Sequence, residues 1–452
     1  MKKGLLGITL LLSLIFISVY GDGTNFIFIE PVIHVAPQQN FSINISLNSQ
    51  EGMSGLQCDV IFNSTLLSVE RIENGGLFEN WWDTLLEIDE ENGTIRNIIA
   101  FNFEGKVSYA GTFAIIHFKP KMEGVSFINL SRVVVSNATG EEISVEIING
   151  SVVIDGTPPN TFIIKNPTTI SNSSTAYFEW RGVDDRTAED NLTYSYYLTP
   201  SSWSEWSSGV DHIYENLSDG AYTFEVKAKD EAENIDPTPA SFSFTIDTNP
   251  PEIGHLCEPS QPNGNGGWYI SNVEVSLSAD DALSGIMRKE YKIDDGNWEI
   301  GETFTVSISG NHTILYRAID NAGNKNKSSF DIRIDKEKPS TSISLSGKKE
   351  GDHYTSNVVV SFDANDAFSE IKETKYKIND GKWNTYNGAF SLTDDGSYTI
   401  KYYSIDNAGN EEKEKEHTFK IEKNQKPIAD FTWNPRNSTT ADVIRFYDQS
   451  IG

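Results

Sequence analysis

Short runs in which apolar and polar residues alternate follow one another between Thr24 and Asp155. They are FSINISLNS, GLQCDVIFN, GTIRNIIAFNF, GTFAIIHFKPK and EIINGSVVID, and no stretch between them has a credible helical period. A period of two puts successive side chains on opposite faces of a strand, so each run predicts a half-buried β-strand. The segment therefore predicts an all-β sandwich of jelly-roll size.

Four similar segments divide the rest of the chain: VVIDGTPP, FTIDTNPP, IRIDKEKP and FKIEKNQKP. Their prolines fall at intervals of about 90 residues, which is typical of a tandem array of domains. YISNVEVSLSADDALSGIMRKEYKIDDGNW, from Tyr269, matches YTSNVVVSFDANDAFSEIKETKYKINDGKW, from Tyr354, at most positions. The last two complete units are therefore duplicates. The predicted segments are 1–21 (signal peptide), 24–155 (jelly-roll domain), 157–248, 249–336 and 337–423 (three repeat units), and 424–452 (the start of a further domain).

The stretch AIDNAGN at 318–324 recurs as SIDNAGN at 404–410. Asp320 and Asp406 are expected to bond nearby backbone amides in an Asx-turn, while Gly323 and Gly409 accept left-handed geometry. Calcium is the less favoured alternative, because a calcium site needs six or more oxygens and the turn offers at most two or three side chains. KAKDEAEN, at 227–234, puts a divergent copy of this turn into the preceding unit.

Two further turns are predicted at Asp295-Gly296 and Asp380-Gly381, where a glycine can supply the positive φ of a tight hairpin.

The chain begins with Met1-Lys2-Lys3 and the apolar run GLLGITLLLSLIFISVY. A short positive region before an apolar run of this length is typical of a secretory signal, with cleavage expected after Gly21. The run is shorter than the roughly 20 residues that cross a bilayer, which disfavours an uncleaved anchor. The predicted location is secreted or cell-surface.

The charge and cysteine content of the chain limit the classes of partner and the covalent links that are expected. The formal net charge is −29, with no basic stripe to offset it, which argues against nucleic acid. The acidity favours solubility outside the cell over a specific cationic partner. The only two cysteines, Cys58 and Cys257, fall in different predicted domains, so two buried thiols are expected and not a disulfide.

No catalytic constellation is found. The seven histidines are scattered without metal-ligand spacing, and the chain has no G-x-S-x-G elbow. The sequence therefore predicts a protein that is not an enzyme, without a cofactor of its own.

The repeat units resemble the immunoglobulin-like and fibronectin-like modules that occur in tandem on microbial surface proteins, because each carries a Y-x-A-x-D-x-A-G-N type of ending. This resemblance implies seven-strand sandwiches, with a role as spacers or adhesion modules. The last segment, KPIADFTWNPRNSTTADVIRFYDQS, resembles the opening of a PKD (polycystic kidney disease) domain.

The N-terminal segment resembles a cohesin domain, the receptor module for dockerins. The resemblance rests on SGLQCDVIFNSTLLSVERI, GTFAIIHFKPK and NGSVVI in that order and spacing. It implies an N-terminal jelly-roll sandwich and a dockerin-bearing partner that carries calcium. It also implies that the dockerin helices dock on one sheet face, built in part from GLQCDV.

Candidate partner-binding residues follow from that resemblance and from period-two alternation. Gln57 and Asp59 flank Cys58 and share the opposite face of the strand. In IIAFNFEG, the residues Ile99, Phe101 and Phe103 are expected in the core, which leaves the polar residues outside. The predicted binding residues are Gln57, Asp59, Asn102, Glu104 and Glu142. An ordinary solvated sheet face is the competing interpretation.

Two other functions stay open. The first is a carbohydrate-binding module, since Trp81 and Trp82 offer rings for stacking on sugar. Adjacent strand residues face opposite ways, so at most one joins a flat platform unless the pair lies in a loop, and a loop that covers the end of the sandwich is the favoured expectation. The second is a structural surface-layer protein or adhesin. A membrane contact is expected only through the signal peptide or a C-terminal anchor. Candidate N-glycan acceptors are Asn40, Asn44, Asn63, Asn92, Asn129, Asn137, Asn149, Asn172, Asn191, Asn216, Asn311, Asn326 and Asn437.

Overall fold

The computed structural model of the protein describes residues 24–103, 105–423, 431–434, 443 and 445–449. Within this part of the chain the secondary structure is strand, apart from two single-turn 3-10 helices. The chain divides into two compact units, Met1–Asp247 and Thr248–Gly452. No helix among the described residues has the length and apolar character of a membrane span. The predicted signal peptide lies outside the described residues.

The N-terminal domain contains twelve strands and one 3-10 turn. Two of the strands predicted from sequence, FSINISLNS and GLQCDVIFN, are halves of a single strand of 21 residues. One long strand, the ninth, was missing from the sequence prediction. The elements are β1 Phe26–Ile29, β2 Ile33–Val35, β3 Phe41–Ile61, β4 Leu67–Asn74, β5 Asn80–Trp81, the 3-10 turn Asp83–Leu85, β6 Glu87–Asp89, β7 Thr94–Phe101, β8 Ser108–Pro120, β9 Gly124–Asn137, β10 Glu142–Ile143, β11 Glu146–Ile148 and β12 Gly150–Ile154.

The length of β3 lets it serve both layers of the sandwich. Its first half pairs with β1 and β8, and β8 continues to β4. Its second half pairs with β7 on one side and β9 on the other, and β9 continues to β12. Side chains from both layers, such as Ile45 and Phe118 from one and Leu56 and Val135 from the other, share one core. This is the jelly-roll β-sandwich that the alternating runs predict.

Two β-bulges interrupt the second layer at the same height. Opposite Asp59, β7 has one extra residue near Asn97, and opposite the adjacent Cys58, β9 has one extra residue near Arg132. Both residues adopt a left-handed backbone, with φ of 56° at Asn97 and 50° at Arg132. A bulge advances the strand by one residue, so side-chain alternation reverses on passing it.

The first repeat unit forms two facing sheets, of three and four strands. Phe178, Trp180 and Phe224 fill its separate core. Its elements are β13 Asn160–Lys165, β14 Ile170–Ser171, β15 Ala176–Val183, the 3-10 turn Glu189–Asn191, β16 Thr193–Leu198, β17 Asp211–Tyr214, β18 Gly220–Lys229 and β19 Ala240–Ile246.

The second compact unit contains two more cores, one per repeat. The second repeat unit, 249–336, again has three-stranded and four-stranded sheets, as the predicted seven-strand sandwich requires. The last repeat unit has three-stranded and six-stranded sheets, because two short strands extend one edge of its larger sheet. The strands are β20 Glu252–Glu258, β21 Val273–Asp280, β22 Ile286–Ile293, β23 Glu299–Ile300, β24 Thr303–Val306, β25 Gly310–Asp320, β26 Lys325–Ile334, β27 Ser340–Ser346, β28 Lys349–Glu350, β29 His353–Tyr354, β30 Val358–Asn365, β31 Ile371–Ile378, β32 Asn384–Thr385, β33 Phe390–Leu392, β34 Gly396–Asp406, β35 Lys415–Ile421, β36 Phe431–Asn434 and β37 Arg445–Asp448.

The IDNAGN stretches connect neighbouring antiparallel strands, as predicted. Asp406 Oδ1 accepts hydrogen bonds from the backbone N–H groups of Gly409 at 2.7 Å and Asn410 at 2.8 Å. Gly409 has a φ of 99°, which a side chain would strain. In the divergent copy Asp230 Oδ1 accepts from the N–H of Asn234 at 2.7 Å.

The prediction for the two Asp-Gly turns was wrong in one respect. The positive φ angles fall at Asp294 (53°) and Asn379 (52°), before the Asp-Gly pairs, and not at the glycines. Each glycine instead donates a hydrogen bond from its N–H to the backbone carbonyl of the last residue of the preceding strand, as Gly296 does to Ile293 at 3.0 Å. Asp and Asn tolerate left-handed geometry better than most residues, which permits this shift.

Both cysteines are free thiols, as predicted. Cys58 is fully buried in the core, whereas Cys257 is only half-buried. Burial, together with the neighbouring Asp59 carboxylate, raises the pKa of the Cys58 thiol well above its ordinary value.

Candidate partner-binding face

The second layer of the N-terminal domain presents an outer face, which we define by the residues of β7, β3, β9 and β10 that point away from the core. Residues directly opposite one another in a sheet point the same way, so strand register identifies the members. One row runs Phe101, Gly55, Ser136, Glu142, and the next runs Ile99, Gln57, Val134. The alternate row of Ala100, Leu56, Val135 and Ile143 is buried in the core.

Exposed apolar side chains give this outer face its character. Val134 is 44% exposed at the end of its row, and Trp82 and Phe103 are 48% and 61% exposed beside Phe101. The Trp82 and Phe101 ring centroids are 5.9 Å apart, and those of Phe101 and Phe103 are 4.9 Å apart. Both ring pairs meet edge to face. Large apolar side chains clustered at a surface mark an interaction site more often than scattered ones do.

Gln57 occupies the middle of the outer face, half-buried between Ile99 and Val134. Glu142 is exposed on the short edge strand β10, opposite Ser136. The structure therefore places both predicted residues on one surface. Gln57 is a polar residue at its centre and Glu142 an acidic residue at its edge, and apolar side chains lie beside them.

Comparison with protein-family models assigns this part of the chain. Residues 29–154 match the model described as "Cohesin domain". This segment is a cohesin domain.

Solved cohesin structures are similar to a part of the chain that makes up 29–30% of its length. They include a non-cellulosomal cohesin from Archaeoglobus fulgidus, 16% identical, covering 29% of this chain and 92% of that one, with a TM-score of 0.25. A type I cohesin–dockerin complex from Clostridium thermocellum is 18% identical over 29% of this chain and 100% of that one, with a TM-score of 0.26. A type II cohesin from Acetivibrio cellulolyticus is 17% identical over 30% and 99%, with a TM-score of 0.25. The search of curated proteins gives no match.

The family match carries a coarse statement of function. Cohesin domains are non-catalytic and bind dockerins, and they are typically components of extracellular scaffolds. The sequence prediction that this domain is a jelly-roll cohesin is confirmed.

Asp59 does not lie open on the cohesin surface, contrary to the expectation from alternation. The residue is only 5% exposed. Its Oδ1 accepts a hydrogen bond from the backbone N–H of Asn97 at 2.9 Å, and its Oδ2 accepts a hydrogen bond from Nη1 of Arg132 at 3.1 Å. Because these donors belong to the two bulges, Asp59 joins both bulged strands to β3. The physical reason for the error is that the bulges bring a backbone amide and a guanidinium over the carboxylate.

The expectation for IIAFNFEG was also wrong in its choice of faces. Ile98 and Ala100 are fully buried, while Ile99 and Phe101 are half-buried on the outer face and Phe103 is largely exposed. Strict alternation from the buried Ile95 would put Ile99 and Phe101 inside, but the bulge at Asn97 reverses the pattern.

Asn102 acts locally in the cohesin domain. Its Oδ1 accepts the backbone N–H of Glu79 at 2.8 Å, and its own N–H donates to the carbonyl of Ser54 at 2.7 Å. The first bond holds the chain after β7 against the segment before β5, and the second holds it against β3; the side chain is half-buried. Glu104, the remaining predicted residue, lies outside the described residues.

Trp81 ends β5 and Trp82 directly follows it, where a loop was expected, and the two side chains face opposite ways. Trp81 packs toward the core with its ring centroid 6.1 Å from that of Phe113, while Trp82 stands beside Phe101 outside. A flat platform of two tryptophans is therefore absent at this position.

Four residues of the outer face were not predicted from the sequence: Trp82 as a member of this cluster, Phe101, Val134 and Arg132. A signal for Val134 was available, because the run SRVVVSN reads as a strand that was not assigned. The predicted glycan acceptors that the structure describes are exposed or half-buried, and Asn437 lies outside the described residues.

Proposed function

We propose that the protein is an exported, non-catalytic scaffold or surface protein, and that its cohesin domain binds a dockerin-bearing partner through the outer face. The observation that carries this proposal is the match of residues 29–154 to the cohesin family, whose members bind dockerins.

The composition of the outer face supports its choice as the docking surface. Interfaces depend on a few aromatic and aliphatic residues near the centre, surrounded by polar residues that exclude water. Trp82, Phe101 and Val134 supply the apolar part, and Gln57 and Glu142 supply hydrogen-bonding groups beside them.

Rigidity also supports this choice. The face consists of paired strands, and the hydrogen bonds of Asp59 hold both bulges in place. A pre-formed surface loses little conformational entropy on binding, which favours affinity. The partner is therefore expected to meet a surface whose backbone changes little.

The remaining parts of the chain fit the same proposal. The N-terminal run directs export, and the acidic, glycan-acceptor-rich chain suits an extracellular location. The repeat units act as spacers or adhesion modules between the cohesin domain and whatever the chain attaches to. Calcium is carried by the dockerin.

A carbohydrate-binding role is the second candidate, because Trp82 is an exposed ring on the cohesin domain. Sugar rings stack on flat aromatic faces. The rings of Trp82 and Phe101 meet at 66° and those of Phe101 and Phe103 at 82°, so together they form an uneven surface. Such a surface suits the side chains of a helical partner better than a flat sugar chain.

Titration of the full chain against dockerins from the same host, at a fixed calcium concentration, tests the proposal. We expect at least one dockerin to bind at a ratio of one to one, with no binding to a panel of soluble and insoluble glycans. Glycan binding that disappears in Trp82→Ala, combined with no binding to any dockerin, would replace the proposal with the second candidate.

A further inference from the structure

Three aspartates from three separate segments converge in the last repeat unit. Asp335 precedes β27, Asp366 follows β30, and Asp406 ends β34 as the aspartate of the SIDNAGN turn. One carboxylate oxygen of each lies within 4.8 Å of the others. The turn aspartate therefore has two acidic companions that the turn sequence alone does not reveal.

Hydrogen bonds hold these carboxylates in place but leave oxygens unused. Asp366 Oδ2 accepts three backbone N–H groups, from Phe368, Ser369 and Glu370, at 3.0, 2.9 and 3.2 Å. Its Oδ1 is buried without a hydrogen-bond partner, and so is Oδ2 of Asp335. Asp335 is itself fully buried. A buried oxygen without a partner is costly, and its position in this cluster points to a ligand.

In the part of the chain that the structure describes, no ion pair offsets the negative charge of this cluster. Among the described residues, no Lys, Arg or His nitrogen forms an ion pair with Asp335, Asp366 or Asp406. Burial raises the pKa of Asp335, and the nearby Asp366 and Asp406 carboxylates raise it further. A bound cation would remove both the repulsion and the cost of burial.

The first repeat unit has the same arrangement. Asp155 follows β12, Asp184 follows β15 and Asp230 follows β18, and one oxygen of each again lies within 4.8 Å of the others. Oδ2 of Asp155 and Oδ2 of Asp184 are buried without partners, so the equivalent residues are unsatisfied in both units. Asp155 is also fully buried.

The turn asparagines make matching contacts in the two clusters. Nδ2 of Asn234 donates to the backbone carbonyl of Asp155 at 2.9 Å, and Nδ2 of Asn410 donates to that of Asp335 at 3.0 Å. One difference separates the clusters, because Nη1 of Arg186 lies 3.4 Å from Asp155 Oδ1. The first cluster thus has one nearby positive charge, and the last has none among the described residues.

We propose that the Asp335–Asp366–Asp406 cluster and the Asp155–Asp184–Asp230 cluster each bind a calcium ion. Carboxylate oxygens are ligands for hard cations, and calcium takes six to eight oxygens at about 2.3–2.6 Å. Oxygens on opposite sides of such an ion are about 4.6–5.2 Å apart, which is compatible with three oxygens that all lie within 4.8 Å of one another. Magnesium needs a tighter octahedron, with opposite oxygens about 4.2 Å apart. Water oxygens would supply the ligands that the three carboxylates do not.

The position of each cluster indicates what the ion does. Asp155 and Asp335 belong to the short segments that lead into β13 and β27, whereas their companions belong to the sandwich that follows. Calcium would therefore tie each connecting segment to its sandwich and stiffen the entry to that unit. This role is independent of dockerin binding by the cohesin domain.

Calorimetric calcium titration of the full chain, after removal of metal with a chelator, tests the proposal. The parent should bind calcium, Asp335→Asn should lose about one equivalent, and adding Asp155→Asn should remove about one more. Asp363→Asn, which changes an exposed aspartate on β30 of the same unit, is the matched control and should keep all equivalents. Magnesium in place of calcium should bind at least tenfold more weakly.

Thermal unfolding separates a ligand from a purely structural role for Asp335. In chelator at pH 7, Asp335→Asn should unfold at a higher temperature than the parent, because a repelled charge is removed. Added calcium should stabilise the last repeat unit against thermal unfolding in the parent and in Asp363→Asn, but not in Asp335→Asn. If Asp335→Asn does not fold, Asp366→Asn, at a half-exposed position, takes its place. An absence of calcium binding by the parent at millimolar concentration, or full binding by folded Asp335→Asn, would overturn the proposal, as would equal affinity for magnesium.

Discussion

The carboxylate of Asp59 accepts a hydrogen bond from the backbone N–H of Asn97 at 2.9 Å. Asn97 is the residue at which β7 bulges and its alternation reverses. The same carboxylate accepts Nη1 of Arg132 from the bulge in β9. One side chain in β3 therefore fixes the register that turns Ile99, Phe101 and Val134 toward the outside.

Asp59→Ala should destabilise the cohesin domain. Removing the carboxylate leaves the buried N–H of Asn97 without its acceptor, which costs about 1–3 kcal/mol. Amide hydrogen exchange of the full chain, read by mass spectrometry on β3 and β7 peptides, measures the loss of protection. Gln57→Ala, a half-buried neighbour without such a role, should change protection by no more than about 0.5 kcal/mol. Unchanged protection in Asp59→Ala would show that the bulges do not depend on this side chain.

Cys58→Asp should damage folding far more than Asp59→Ala. Cys58 is fully buried between the layers, so the new carboxylate would be an unpaired charge in the core. We expect a loss of several kcal/mol, enough to unfold the domain, whereas Cys58→Ala loses only about 1–2 kcal/mol. Near-ultraviolet circular dichroism and the yield of soluble protein distinguish the two variants. A well-folded Cys58→Asp protein would contradict the placement of this strand.

The aspartate cluster in the last repeat predicts a pH dependence in the absence of calcium. Burial, followed by repulsion from Asp366 and Asp406, raises the pKa of Asp335 in the folded state above its value in the unfolded chain. The folded state therefore binds its proton more tightly, so Asp335 lowers stability at neutral pH and this penalty disappears as pH falls through the raised pKa. In chelator, the unfolding temperature of Asp335→Asn should exceed that of the parent at pH 7, and the difference should shrink toward pH 5. A difference that grows on acidification would contradict the assignment.

The alternating runs in the sequence predicted most of the strands, because period-two burial is a local property of each segment. FSINISLNS and GTFAIIHFKPK both lie in paired strands, and the SIDNAGN turn occurs as expected, since Asp406 and Gly409 supply its hydrogen bond and its positive φ. The cohesin resemblance identified the sheet that carries the outer face, because its three ordered motifs define which strands are neighbours.

The features that escaped prediction depend on contacts between distant segments. A bulge at Asn97 is decided by its pairing with β3, so alternation within IIAFNFEG gave the wrong faces for Phe101 and Phe103. The burial of Asp59 depends on Arg132, 73 positions away. The turn aspartate Asp406 could not be recognised as part of a cluster, because its companions come from two other segments of the chain.

Binding of a dockerin by Val134→Asp, measured by calorimetric titration of the full chain at fixed calcium, tests the central claim most directly. Val134 lies at the end of the Ile99–Gln57 row and is 44% exposed, so the substitution places a charge on the proposed interface without disturbing the core. Ile213→Asp is the matched control, since Ile213 is a strand residue of the first repeat unit with 51% exposure. We predict that Val134→Asp weakens the affinity at least about tenfold, which corresponds to about 1.4 kcal/mol, while Ile213→Asp binds as the parent does. Equal affinities for the parent, Val134→Asp and Ile213→Asp would contradict the assignment of the outer face as the dockerin site.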